Sequence, residues 1–378
     1  MNPEKDRFDI ICLSHLKWEK TLFQRPQQLM RQFSGDSKIL FLAHCPLREF
    51  LRAIFRGQLG EYIGRHNDNL QYMTLPYFPL TRKFKFFQNL TYLLTAFVAR
   101  SKVKRLGFRN IILWMYYPTF TNNLKKFPHE KLVYDCMDLF RGFKASSTDV
   151  QEQENRLLQN ADIVFTGGKS LQKSKQGINP RTYCFPSGVE FGHFSKATLD
   201  ETSIPEDIKN IPHPILGYFG AVDERIDYDL VNHICQKRPD WSVVFLGPLV
   251  MRSEVPVHHP NFHYLGKKDY ALLPNYLKAF DVCLMPFVIS ELTLHISPTK
   301  TPEYLSGGKP VVSTAIPDVI ADYSDVVEIA GDYEEFIRKT ENVLKDAPED
   351  LHTRIRKKAE TKSWEYISKE MIRLIFET

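Results

Sequence analysis

The chain has 378 residues, too many for one ordinary hydrophobic core, so two domains are expected. Its composition is globular, with 43% hydrophobic, 25% charged and 13% aromatic residues, and a formal charge of +5 is too small to argue for nucleic acid. Six cysteines without a CxxC pair and twelve histidines without HExxH spacing argue against a disulfide frame or a zinc site, and suit buried thiols in a reducing compartment.

The N-terminus is charged and polar ahead of a strand, without a signal-peptide pattern, and the apolar run from Leu90 to Ala99 is far short of the roughly 20 residues a spanning helix needs. A cytoplasmic protein is expected. Strand and helix patterns alternate along the chain, which predicts parallel sheets covered on both faces. In the first half, strands fall at 8–13, 38–42, 110–115, 131–134, 162–166 and 182–185, with helices at 26–33 and 148–160. Between Arg48 and Arg109 twelve Lys/Arg stand against three Asp/Glu, with Phe84, Phe86, Phe87, Tyr92 and Phe97 among them. The segment from Arg82 to Arg109 is either a solvated cationic face over the sheet or a surface for anionic lipid, which needs apolar and cationic faces together. No nucleic-acid reader motif accompanies it.

A polar, proline-bearing stretch at 196–213 is the expected linker between an N-terminal domain at 1–195 and a C-terminal one at 214–355. The second half has strands at 215–219, 242–246, 261–264, 281–285, 309–312 and 326–329, with helices at 227–236 and 270–280. One or two helices follow from 350 to 378. The fold class is α/β, two Rossmann-like halves.

In such sheets ligands gather at the carboxyl ends of the strands. His15, Trp18 and Arg25 follow the first strand, Asp135 and Asp138 the fourth, and Gly167-Gly168-Lys169-Ser170 the fifth. That glycine pair lacks a P-loop's spacing, and helix capping is preferred for it. In the second half Gly220, Asp223, Glu224 and Arg225 follow a strand. The most informative stretch is 297–312, SPTKTPEYLSGGKPVV. Ser297 fits an N-cap, Pro298 the first helical position, and Gly307-Gly308 a left-handed stop before a buried strand. The first-turn N–H groups of Thr299 and Thr301, with the charge of Lys300, suit a phosphate. Glu303, on nearly the same face, can accept from the two hydroxyls of a ribose. A Lys300–Glu303 surface ion pair explains the same spacing equally well.

Five segments resemble the retaining nucleotide-sugar glycosyltransferases of the GT-B fold, glycosyltransferase family 4 and its relatives. Pro186-Ser187-Gly188-Val189-Glu190-Phe191-Gly192-His193-Phe194 resembles P-N-G-V-D-x-x-x-F, with Ser for Asn and Glu for Asp. The segments 217–225, 261–287 and 297–312 resemble the glycine turn, the base-binding region and the glutamate-bearing donor motif. Ala359 to Trp364 resembles the start of a terminal helix, here 356–378, that crosses back to the first domain. Arg25-Pro26-Gln27-Gln28-Leu29 and Tyr134-Asp135-Cys136-Met137-Asp138 resemble a bacterial surface-polysaccharide subgroup.

The resemblance implies two Rossmann-like domains facing a central cleft. It also implies transfer of a hexose, from a UDP-sugar with a hint of galactose or galactofuranose, to a glycan or lipid-linked acceptor. No cofactor and no metal are expected, since no DxD stands where a metal would bridge phosphates. Arg225 and Lys300 would stabilise the leaving diphosphate, and Glu303, Ser297, Thr299, Thr301 and Gly220 would bind the donor. Asp138 would orient or deprotonate the acceptor, or else cap the following segment; His15 would line the same cleft, or else be structural. The sequence departs from the family at one point. The glutamate eight positions before Glu303 is His295, so His295, Glu291 or backbone after Ser290 takes its place against the sugar. Two rival functions share this scaffold: a nucleotide-sugar epimerase and a non-catalytic binding subunit.

Overall fold

Short runs of Ile, Leu, Val and Phe without polar alternation are what a sheet buried on both faces requires. The computed structural model describes residues 7–18, 24–78, 84–119, 121–137, 148–250, 253–290, 293, 298–346, 348 and 350–377. The chain divides into two units, Met1–Pro186 with Ser368–Thr378, and Ser187–Ile367.

The first unit is built on β1 (Asp9–Leu13), β2 (Ile39–Pro46), β3 (Ile63–Arg65), β4 (Leu70–Tyr77), β5 (Ile111–Met115), β6 (Lys131–Cys136), β7 (Ile163–Thr166) and β8 (Thr182–Cys184). Their order in the sheet is β3-β4-β2-β1-β5-β6-β7-β8, parallel except for β3, which pairs antiparallel with β4 at the edge. The helices are α1 (Arg25–Phe33), α2 (Leu47–Phe55), α3 (Leu59–Tyr62), α4 (Lys85–Leu106), α5 (Thr148–Asn160) and α6 (Lys169–Lys175). All six expected strands are present, and β3 and β4 are additions. β4 alternates buried and half-buried positions and carries Pro76, so it lacks the continuous apolar run of its neighbours.

The second unit contains β9 (Ile215–Phe219), β10 (Ser242–Leu246), β11 (Phe262–Tyr264), β12 (Val282–Met285), β13 (Val311–Thr314) and β14 (Glu328–Ala330), in the order β11-β10-β9-β12-β13-β14 and all parallel. Its helices are α7 (Phe191–Phe194), α8 (Glu206–Lys209), α9 (Tyr228–Lys237), α10 (Leu273–Ala279), α11 (Lys300–Ser306), α12 (Pro317–Tyr323), α13 (Tyr333–Asp346) and α14 (Leu351–Thr361), and α15 (Trp364–Phe376) starts in it.

The domain boundary lies at 186/187 rather than 195, and 196–213 is not a free linker. Phe194, Ala197 and Ile208 are buried in the core of the second unit, so a few apolar anchors hold an otherwise polar segment down. The expected return of the terminal helix is observed from Ser368 onward: the Phe376 ring lies 5.4 Å from Phe8, and Arg181 Nη2 donates to Leu374 O at 3.4 Å.

Arg25 and Asp135, both flagged by their position after strands, form a buried pair. Arg25 Nε donates to Asp135 Oδ1 and Oδ2 at 3.0 and 3.1 Å, and its Nη1 donates to Phe185 O at 2.6 Å. The pair ties the start of α1 to β6 and to the chain after β8. Removing one partner leaves the other charge buried and unpaired. Arg25→Met should therefore destabilise the N-terminal unit by about 3–5 kcal/mol, read from its urea-unfolding transition; a shift below about 1 kcal/mol would contradict a structural role.

Candidate active site

In the second sheet the strand order reverses between β9 and β12, which makes a crevice at their carboxyl ends. The loop after β9 and the chain after β12 form its rim and are laced together. Asp227 N–H donates to Pro286 O at 2.8 Å, Val288 N–H donates to Arg225 O at 2.9 Å, and Ile226 and Phe287 form an antiparallel bridge.

Two glycines let these loops approach. Gly220 has φ +155°, and a Cβ there would stand 2.7 Å from Tyr218 Oη and 3.2 Å from Lys300 Cε. Gly247 has φ +142°, and its Cβ would lie 1.7 Å from Gly220 O. Side chains at either position would push the backbone away from Lys300.

The helix carrying Lys300 begins two residues later than expected, with Thr299 at its N-cap and Pro298 outside it. Pro302 sits within the first turn, where its missing N–H falls among the unpaired donors. The stop is as expected: Lys309 N–H returns to Tyr304 O at 3.1 Å across Gly308, whose φ is +71°. With seven residues, α11 supplies little dipole, and Lys300 is the principal positive charge at its start. Tyr304 anchors the helix from below. Its hydroxyl accepts from Phe219 N–H at 3.0 Å and donates to Phe219 O at 3.3 Å.

Lys300 Nζ donates to Glu303 Oε2 at 2.8 Å and lies 5.5 Å from the centre of the Phe219 ring. The ion pair allowed by the spacing therefore exists, but it is not a surface pair, because Glu303 is only 8% exposed. Burial pushes the Glu303 carboxyl above its ordinary range. The Lys300 ammonium and the Thr299 hydroxyl oppose that shift, while the nearby Glu190 carboxylate adds to it.

Glu190 is the neighbour that sequence reasoning missed, although its motif was recognised as a domain-end marker. Tyr270 Oη donates to its Oε2 at 2.9 Å, and the Tyr270 ring stacks on His193 with centroids 4.6 Å apart. Asp223 was noted only for its place in the loop, yet it holds Arg225 in a two-pronged contact, with Nε to Oδ1 at 2.9 Å and Nη2 to Oδ2 at 2.5 Å. These bonds raise the Arg225 pKa and set the direction of its guanidinium.

The remaining expected residues divide. Thr301 is completely buried, backbone as well as hydroxyl, so it is not open to a ligand. Gly168 caps α6, as preferred for that glycine pair. His15 is exposed after β1, with its ring 5.6 Å from Tyr117 after β5, at the point where the first sheet's strand order reverses. Asp138, Glu291, His295 and Ser297 lie outside the described residues.

Two mostly parallel sheets, the second with a paired lysine and carboxylate beside a glycine loop at its switch point, define a two-domain Rossmann-like architecture. Residues 213–346 match the family described as Glycosyl transferases group 1. TuaH of Bacillus subtilis (strain 168), a glycosyltransferase provisionally assigned to teichuronic acid biosynthesis, is 24% identical, covering 69% of this chain and 70% of its own. The sucrose-phosphate synthase tll1590 of Thermosynechococcus elongatus aligns with a TM-score of 0.63 and 15% identity, over 98% of this chain and 99% of its own. The structure of Anabaena Alr3699/HepE with UDP and glucose aligns with a TM-score of 0.61 and 11% identity, over 98% of this chain and all of its own (100%). The fold is GT-B, and residues 213–346 carry a glycosyl transferase group 1 domain.

A carboxyl accepts from both ribose hydroxyls most strongly when ionised, so the raised Glu303 pKa fixes a pH dependence. Below that pKa the group is protonated and loses acceptor capacity. UDP affinity by titration calorimetry should fall as pH drops through an apparent pKa above 4.5. Glu303→Gln should lack that limb, and since UDP's own ionisation affects both proteins alike, identical profiles would contradict the assignment.

Proposed function

We propose that the chain is a retaining, metal-independent hexosyltransferase of family 4 type. In this reading it moves a hexose from a UDP-sugar, with galactose or galactofuranose favoured, to a growing surface polysaccharide or lipid-linked acceptor. It works on the cytoplasmic side of the membrane, in peripheral contact through the region from Arg82 to Arg109. The observation that carries the reading is the buried Lys300–Glu303 pair against Gly220. The teichuronic acid assignment of TuaH supports a polysaccharide product, and the UDP and glucose in the HepE structure support the donor class.

The unliganded pair keeps both charges satisfied in a poorly solvated place. When the donor binds, Lys300 turns to the diphosphate and Glu303 accepts from the ribose hydroxyls. The bond between the anomeric carbon and the diphosphate then breaks, leaving oxocarbenium character on the sugar. The acceptor oxygen bonds to that carbon on the same face, and its proton passes to Asp138. His15 belongs to the acceptor side. Lys300, and Arg225 held by Asp223, meet the charge growing on the leaving diphosphate, a term that is commonly the largest in catalysis. The one aspartate pair of DxD spacing near the loop, Asp227 and Asp229, starts α9 instead: Asp227 accepts from Leu230 N–H and from Tyr333 Oη, each at 2.9 Å, so the two cations carry the task.

Lys300→Ala and Arg225→Ala should each lower kcat by roughly 10²–10³-fold, a loss far larger than either causes in fold stability. Glu303→Ala should chiefly raise the donor KM. Radiolabelled UDP-hexose transfer checks all three, and near-wild-type turnover in both cation variants would remove the diphosphate assignment.

A further inference from the structure

Half of the large apolar side chains exposed among the described residues lie between Leu51 and Phe97. They belong to the first unit, and most lie on two helices, Leu51, Ile54 and Phe55 on α2 and Phe86, Leu93, Leu94 and Phe97 on α4. On α4, Phe86, Leu90, Leu93 and Phe97 recur at helical spacing on the face opposite buried Thr91, Thr95 and Ala99, and Phe86 and Phe97 are 71% and 69% exposed. A helix apolar on both faces has a second partner to find. On α2, Ile54 and Phe55 are exposed, Phe55 at 87%.

Charge accompanies this apolar surface. Arg48, Arg52 and Arg56 recur every four residues along and just past α2, all exposed, and Arg100, Lys104 and Arg105 are exposed on the last turns of α4. The acidic residue of α2, Glu49, is occupied by Lys17 at 2.5 Å and Tyr62 at 2.8 Å. The face is therefore apolar with a cationic border.

Between α2, the end of β4 and α4 lies a cavity of about 260 Å³, walled by Leu47, Leu75, Pro76, Tyr77, Leu94 and Val98 among others. Leu94 is also 45% exposed, so the wall continues into the exposed face. The two threonine hydroxyls at the cavity are already engaged. Thr91 Oγ1 donates to Phe87 O at 3.0 Å and accepts from Phe78 N–H at 3.2 Å. Thr95 Oγ1 donates to Thr91 O at 2.8 Å and meets His44 Nε2 at 2.9 Å, and burial lowers the His44 pKa to about 4, leaving it neutral. The cavity thus offers a ligand hydrocarbon contact only.

We infer that α2 and α4 dock on an anionic bilayer and that the cavity between them takes up one acyl chain of an anionic phospholipid. This rests on the membrane contact in the proposed function and adds a second helix, a lipid charge and a chain-binding site to it. The apolar stripe enters the acyl boundary while the arginines meet the headgroups.

The test uses the full chain with phosphatidylcholine vesicles containing or lacking phosphatidylglycerol, a fraction of the latter carrying a photoreactive group on one acyl chain. Flotation is expected with the anionic vesicles and to weaken in high salt. Replacing Arg48, Arg52 and Arg56 with Gln should cut binding roughly a hundredfold, at about fivefold per charge. Crosslinks should map to 75–78 and 91–98, and Val98→Trp, which fills the cavity, should remove them while the protein still floats. No flotation would overturn the membrane reading itself. Flotation with crosslinks elsewhere, or crosslinks unchanged in Val98→Trp, would overturn the chain-binding site alone. A lipid-free dimer dissociated by Phe55→Ser with Phe97→Ser would overturn the proposal and give the face to a second copy.

Discussion

The candidate site depends on keeping a lysine and a glutamate together in a place with little water. An unpaired Glu303 at that depth would protonate, and an unpaired Lys300 would lose its hydration without compensation. Each charge is tolerable because the other is 2.8 Å away, and both remain available to a ligand that offers a better partner. Surrounding features maintain that arrangement. Gly220 and Gly247 let the loops close on Lys300, and Tyr304 fixes α11 to the end of β9, while the Glu190 carboxylate works against the pair by favouring the protonated form of Glu303. A buried pair is a weak source of stability, so its position at a switch point points to binding rather than to folding.

The N-terminal unit uses a buried pair in a different way. Arg25 and Asp135 are both out of solvent, and the guanidinium also holds the backbone carbonyl of Phe185. Ligand-like residues after strands therefore serve two purposes in this chain. One pair fixes the architecture, and the other is only partly closed, with a quarter of the Lys300 side chain exposed. Exposure, rather than residue type, separates them.

Much of the fold was legible because the strands buried on both faces are uninterrupted apolar runs. The strands at 215–219 and 242–246 and the helix at 148–160 were read with their observed boundaries. β4 was not, because five of its eight positions are only partly buried and Pro76 interrupts it. The stretch 196–213 looked like a linker because its composition is polar, and the buried anchors Ala197 and Ile208, with Ile204 and Ile211 packed against the same core, outweigh composition there. At the site, order and spacing were enough to select Lys300, Glu303, Gly220 and Arg225. They could not show that Asp223 holds Arg225, that Thr301 faces inward, or that the Lys300–Glu303 pair is buried. The first is a local side-chain conformation that spacing does not reveal, and the other two depend on what the fold packs over these residues.

The central claim is that this pair receives a nucleoside diphosphate, and nucleotide-dependent thermal unfolding tests it most directly. A ligand at a hundred times its Kd stabilises the folded state by about 2.7 kcal/mol. Among UDP, GDP and ADP, the account predicts the largest upward shift with UDP, and loss of most of that shift in Lys300→Met. An unshifted midpoint with all three nucleotides, or an equal UDP shift in wild type and Lys300→Met, would contradict it.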